Sequence, residues 1–287
     1  MSQPAGDRYI PGVPCWVDGM HPDPRAAAAF YGGLFGWELE ESMPPGAPGS
    51  YQTATIGGRP VAAIGSVPEG APPRATWNTY VWVEDAGATA ERARAAGGTV
   101  VAGPFDVFDA GRTATIADPG GALISLWQPG RHRGAEVVNE HGAVNFNDLH
   151  TRDVEQARAF YGAVFGWEVL DLGDGLLWTL PGYGAFLDTL RPGTVEGMRQ
   201  MGAPEGFWDV VASLRRIGDD EAGVEPHWGV TFGVDDADAV AARAAELGGR
   251  VIIDPHDAPW VRSAVIADPQ GARFTANQFV PENAPAA

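Results

Sequence analysis

The sequence holds one cysteine, Cys15, in 287 residues. No intramolecular disulfide can form, and a cysteine-rich zinc site is excluded. Histidine is scarce: there are six, none in the His-x-His or His-x-x-x-His spacing that sets two imidazoles on one strand or helix face. Basic residues are short as well, with 19 Lys+Arg against 37 Asp+Glu and a formal net charge of −18. So acidic a chain repels phosphate backbones and anionic lipid, and we expect neither nucleic-acid nor membrane partners. No run approaches the ~18 apolar residues of a membrane span. Met1–Ile10 lacks the basic and apolar regions of a secretory signal, so the expected location is the cytoplasm. No serine-nucleophile elbow, P-loop or dinucleotide fingerprint occurs. The glycine pairs at 97–98 and 248–249 stop helices and precede strands, the wrong order for binding phosphate. What is abundant is glycine (39), proline (24) and tryptophan (10), which point to many turns and aromatic-lined surfaces.

The chain repeats itself. FYGGLFGWE begins at Phe30 and FYGAVFGWE at Phe160, 130 residues on. Arg92–Asp106 (RARAAGGTVVAGPFD) resembles Arg243–Asp257 (RAAELGGRVIIDPHD), and IADP occurs at Ile116–Pro119 and Ile266–Pro269. Paired motifs in one order, twice, indicate tandem homologous domains. We set these at residues 9–130 and 142–281, divided by the polar, Gly-containing stretch between.

Each half reads as two strand–helix–strands modules. Asp23-Pro24 fits an N-cap and first helical position, and Ala27, Phe30, Tyr31 and Leu34 recur at helical spacing up to a stop at Gly36. Asp85 starts a second helix that Gly97-Gly98 ends. Asp153 with Gln156, and Asp236 with Gly248-Gly249, repeat the scheme. Strands are expected near 14–19, 51–56, 60–66, 77–83, 99–102, 112–117 and 122–127. The segment Tyr183–Trp228 is longer than its counterpart; we expect a short helix at Val195–Met201 and a displaced strand at Phe207–Leu214.

Four βαβββ modules with FYxxxFGW after the first strand resemble the vicinal oxygen chelate superfamily, which includes glyoxalases, bleomycin-resistance proteins and extradiol dioxygenases. The tandem form is similar to actinobacterial glyoxalase-like proteins. The resemblance covers roughly residues 10–280 and implies an α+β fold. Two domains, each an open eight-stranded cup with helices outside, are then expected. In family enzymes a His opens the first strand of a module and a Glu sits in its last strand, and these hold Zn, Fe, Mn or Ni. Carried over by position, the ligand places fall on Trp16, Asn78, Ser125 and the run Ala62–Gly65. In the second domain they fall on Phe146, Gly229 and Thr275, with the fourth unassigned. None of the assigned places holds His or Glu, so the expectation is no metal and no cofactor. The alternative, a divalent metal held by scattered residues, stays open.

Strand alternation gives the inward-facing candidates. In the first domain they are Trp16, Asp18, Asn78, Tyr80, Trp82, Ser125 and Trp127. In the second they are Phe146, Asp148, His227, Thr231, Thr275 and Asn277. Aromatics with a few polar groups suit a flat, partly apolar ligand, and equally they suit simple filling of the sheet interior. Asp18 and Asp148 are equivalent across the repeat, and either could act as an acid or base if buried. His227 is the candidate imidazole; His21 and His150 flank helix starts and read as exposed. Cys15 has the opposite parity and reads as a small buried apolar group.

Three functions follow. The first is a metal-free protein binding an aromatic or hydrophobic small molecule for sequestration, resistance or carriage. The second is a glyoxalase-like lyase, isomerase or oxygenase using Asp18, Asp148 or His227, with or without a divalent metal. The third is a structural role. Two domains can complete paired cups within one chain, so a monomer or a homodimer is expected.

Overall fold

A computed structural model of the chain describes residues 8–173 and 175–283. The first half contributes β1 (Pro14–His21), β2 (Glu38–Glu41), β3 (Tyr51–Ile56), β4 (Arg59–Ser66), β5 (Thr76–Trp82), β6 (Thr99–Val107), β7 (Gly111–Ala117) and β8 (Leu123–Pro129). They form one eight-stranded sheet in the order β2-β3-β4-β1-β5-β8-β7-β6. The second half repeats it with β9 (Val144–Thr151), β10 (Glu168–Asp171), β11 (Leu176–Thr179), β12 (Val210–Arg216), β13 (His227–Gly233), β14 (Arg250–Ala258), β15 (Val261–Ala267) and β16 (Arg273–Phe279). Their order is β10-β11-β12-β9-β13-β16-β15-β14. The sheets are mixed: β1 runs parallel to β4 and β5 to β8, while the hairpins are antiparallel. This is the expected α+β architecture of open sheets.

The helices begin where the capping residues place them. In α1 (Pro24–Phe35) the Asp23 carboxylate accepts the Arg25 and Ala26 amides, Pro24 supplies the preset first turn, and Gly36 closes the helix at φ 70°. Asp85, Asp153 and Asp236 cap α2 (Ala86–Ala95), α3 (Val154–Phe165) and α6 (Ala237–Glu246) in the same way. The longer segment holds α4 (Tyr183–Leu190), which periodicity did not reveal, then α5 (Thr194–Gln200), then β12. The expected displaced strand lies three residues later than predicted, because Phe207–Asp209 forms a 3-10 turn first.

By contact density the chain forms two compact units. One takes residues through Cys15, Tyr80–Arg133 and Asn147–Trp228; the other takes Trp16–Thr79, Gly134–Phe146 and Gly229 onward. In the second unit, Phe30, Tyr31, Leu34 and Phe35 of α1 share a core with Val240, Ala241 and Ala244 of α6. In the first, Ala90 and Ala93 of α2 share a core with Phe160, Tyr161 and Val164 of α3.

The repeated motifs build these cores. The Tyr31 hydroxyl donates to Asp268 Oδ2 at 3.1 Å and accepts Trp77 Nε1 at 3.0 Å. In the other unit Tyr161 donates to Asp118 Oδ2 at 3.0 Å and accepts Trp228 Nε1 at 2.8 Å. The tryptophans of the FGW motifs cap glycine carbonyls, Trp37 to Gly142 and Trp167 to Gly12. Thus FYxxxFGW and IADP are complementary halves of a buried joint, tied by the tyrosine-to-aspartate hydrogen bond in each unit.

Candidate functional site

In β1, Val17 points into the core, so Trp16 and Asp18 stand on the face the helices leave open. β3 brings Tyr51 over them. Its path depends on Gly65, where a Cβ would lie 2.9 Å from both Met20 Sδ and Tyr51 Cδ2. Trp16 Nε1 donates to the Tyr51 hydroxyl at 3.0 Å, and that hydroxyl donates to Asp18 Oδ2 at 3.1 Å. Asn78 Nδ2 donates to Asp18 Oδ1 at 2.8 Å. Asp18 is fully buried, while Tyr51 and Asn78 are half-buried and form the accessible surface of the cluster. Burial, then the Asp18 charge, pushes the Tyr51 phenol well above its ordinary value. The geometry is therefore a carboxylate with a donor on each oxygen, reached through a phenol that keeps its proton.

Tyr80, Trp82, Ser125 and Trp127 lie on the corresponding face of β5 and β8, with Tyr80 opposite Ser125 and Trp82 opposite Trp127. Tyr9 stacks on Trp82 at 5.9 Å, and the Arg133 guanidinium lies 5.3 Å from the Trp82 ring. Trp127 packs against His132 at 5.6 Å and donates Nε1 to its carbonyl at 3.0 Å. These two indoles are only about 5–6% exposed because neighbouring segments cover them. Burial pushes His132 down to about 4. Ser125 and Thr115 share a hydrogen bond of 3.1 Å.

On the second sheet, Leu149 points into the core, and Asp148 and His150 take the other face of β9, as does the half-buried Phe146. Ser213 pairs with Asp148 in register and donates its hydroxyl to Oδ1. β12 therefore supplies the position that sequence left unassigned: Ser213 stands to Asp148 as Ala63 stands to Asp18. The His150 and His227 rings stack at 4.5 Å. Thr231 and Thr275 are register partners, and Ser263 donates to Asn277 Oδ1 at 2.6 Å.

The structure thus groups Trp16, Asp18 and Asn78, and separately pairs Asp148 with Ser213 and His227 with His150. Sequence reading missed Tyr51, Ser213 and His150. His150 was expected to be exposed, but it shares the face of Asp148, a parity legible in the strand. His21, also expected to be exposed, is fully buried against Asp268, 2.6 Å away. No local pattern announces that partner.

The family described as the Glyoxalase/Bleomycin resistance protein/Dioxygenase superfamily matches residues 19–126 and 143–275. A protein of Mycobacterium tuberculosis provisionally named glyoxylase CFP32 is 40% identical over 284 residues, covering 97% of this chain and 99% of its own. An anthracycline biosynthesis protein, DauV of Streptomyces sp. strain C5, is 37% identical over 287 residues, covering 93% and 94%. Among solved structures, the Mn(II)-bound glyoxalase from Novosphingobium aromaticivorans has the same fold, with TM-score 0.59 and 15% identity over 93% of this chain and 82% of that one.

That last comparison corrects the expectation of no cofactor: a protein of this fold is a Mn(II)-bound enzyme, so replaced ligand positions do not license a cofactor-free reading. The donor set here nonetheless differs from one in which the protein grips an ion by itself. Among the described residues no three His, Cys, Asp or Glu side chains gather to hold a metal. The Asp18 oxygens are already engaged by Tyr51 and Asn78, and indole, amide and hydroxyl occupy Trp16, Asn78 and Ser125. These residues do not fit a three-ligand divalent site.

Proposed function

The chain belongs to the glyoxalase/bleomycin resistance protein/dioxygenase superfamily, and on that premise we propose that it is an enzyme moving a proton on a flat, fused-ring aromatic substrate. The observation that carries this reading is the hydrogen-bonded series Trp16–Tyr51–Asp18–Asn78 on the open face of the first sheet. The names of two relatives support it. Glyoxylase CFP32 supports an enzyme, and the anthracycline biosynthesis protein DauV supports a fused-ring substrate.

In this mechanism the substrate lies against Tyr51 and Asn78. Its acidic proton passes to the Tyr51 oxygen as the phenolic proton crosses to Asp18 Oδ2, the two oxygens being 3.1 Å apart. The Trp16 N–H stabilises charge developing on the Tyr51 oxygen, as an oxyanion donor does. The Asn78 amide holds the carboxylate in place. Reversal of the relay onto a different substrate atom completes an isomerisation, with no net change in protons.

A ligand-carrying role without turnover is the second reading, favoured by the full pairing of the Asp18 oxygens. Incubation with hydroxylated naphthoquinones and anthraquinones, with and without Mn(II), separates the two. The enzyme reading expects a changed absorption spectrum and a product of unchanged mass. Saturable quenching of tryptophan fluorescence with no product would leave the carrier reading, and neither response would remove both.

A further inference from the structure

We infer that a cavity beside α2 binds a small nitrogen heteroaromatic of the imidazole type, whose bare ring nitrogen accepts the backbone N–H of Glu84. This does not depend on the Asp18 mechanism.

The cavity measures about 250 Å³, and its lining includes Pro11, Glu84, Asp85, Thr89, Arg92 and Phe165. That volume falls just below the roughly 300–1,000 Å³ of pockets for drug-sized ligands, so the occupant is small. Phe165 is buried and gives an aromatic wall. Most of the polar lining is already engaged. Asp85 Oδ1 accepts the Ala88 amide at 2.8 Å, and Arg92 Nη2 donates to Thr89 Oγ1 at 2.9 Å. Glu84 differs: among the described residues neither its amide nor its carboxylate makes a hydrogen bond or ion pair.

The second half of the repeat shows what fits there. Gly12 donates its amide to Trp82 O at 2.9 Å and accepts Trp167 Nε1 at 2.7 Å. Gly142 likewise donates to Gly233 O at 2.8 Å and accepts Trp37 Nε1 at 2.8 Å. Pro11, just before Gly12, therefore takes the place of His141, just before Gly142. By the same alignment Glu84, two residues past Trp82, takes the place of Asp235, two past Gly233. Phe165, which ends its FYxxxF motif, takes the place of Phe35.

His141 fills its place with an imidazole. Its Nδ1 accepts the Asp235 amide at 3.1 Å, and its ring meets Phe35 edge-on, with centroids 6.4 Å apart and planes at 83°. An amide only donates, so Nδ1 is the bare nitrogen. The pyrrolidine of Pro11 offers neither an aromatic edge nor an acceptor. The second half thus carries, as a side chain, the ring that the first half lacks. The first half keeps the matching amide and phenyl on the wall of a cavity. Glu84 and Asp85 outnumber Arg92 there, on a chain of net charge −18, which disfavours a ring bearing an acid group.

The test titrates the full-length, 15N-labelled protein with imidazole at about pH 7.5, where the ring is mostly neutral. Pyrrole, a ring of the same size with no bare nitrogen, is the control. Imidazole is expected to move the Glu84 amide proton downfield, saturably, and to shift the Gly12 and Thr89 signals with it. Pyrrole should bind at least about threefold more weakly, for want of one hydrogen bond, and leave the Glu84 proton in place. In Pro11→His, the Glu84 amide proton should lie downfield without any probe, as that of Asp235 does in the wild type, and its response to imidazole should be lost. No saturable shift at Glu84, an equal response to pyrrole, or an unchanged imidazole response in folded Pro11→His would each overturn the inference.

Discussion

His21 Nε2 lies 2.6 Å from Asp268 Oδ2, both side chains fully buried, although the two residues are 247 positions apart in the chain. In the other unit Asp118 keeps the equivalent bond from Tyr161, but Thr151 stands where His21 would be. The two aspartates consequently titrate in opposite directions. Burial raises both, and for Asp118 it prevails. For Asp268 the His21 hydrogen bond and charge, with the Gln270 and Ala272 amides, outweigh burial and hold it below the usual range. A carboxyl depressed in the fold stabilises it above the unfolded value and loses that contribution as pH falls through the folded one.

His21→Ala should therefore destabilise the protein by about 3–5 kcal/mol, since it strands a buried carboxylate. Tyr161→Phe, which removes one hydroxyl, should cost about 1–3 kcal/mol. Urea unfolding of both variants checks the order. Equal, small losses would mean that His21 is not what holds the buried Asp268 carboxylate in place.

His132 and His150 are both pushed down to about 4. A histidine depressed in the fold excludes a proton that the unfolded chain accepts. Stability should therefore fall as pH drops from about 6.5 toward 4, on account of these two rings. Their imidazole C–H resonances should stay in the neutral position at pH near 6 and titrate near 4. Titration of either at about 6.5 would contradict the burial that the structure shows.

Gly65→Ala tests the path of Tyr51. The added methyl meets Met20 Sδ and Tyr51 Cδ2 at 2.9 Å, so the phenol must shift. Turnover or affinity at the Asp18 cluster should fall by about tenfold or more, because misplacement of a catalytic group is costly. The melting temperature should change little, because Tyr51 and Met20 are half-buried at the open face. Unchanged function with a collapsed melting temperature would make Gly65 a packing residue only.

Much of this was legible in the sequence. Aspartate caps, Gly36 and the duplicated FYxxxFGW and IADP motifs gave the helices, the tandem repeat and the family. Alternation along β1 and β5 put Trp16, Asp18 and Asn78 on one face, since hydrophobic neighbours such as Val17 and Trp77 have to turn inward. Other features were hidden for physical reasons. β2 is Glu-Leu-Glu-Glu at a sheet edge, where exposure removes the apolar signal. α4 opens with no side-chain cap, after Gly182. The partners of His21 and Tyr51 lie on other strands or in the other half of the chain. Periodicity describes a face but not what is brought to it.

The most direct test is kcat/KM for a turned-over hydroxyquinone in Asp18→Asn and Asp148→Asn, each confirmed to be folded. Loss of the Asp18 relay predicts a fall of about 10²–10⁴ in the first and a change within about threefold in the second. Wild-type turnover in Asp18→Asn, or equal losses in both variants, would contradict the assignment.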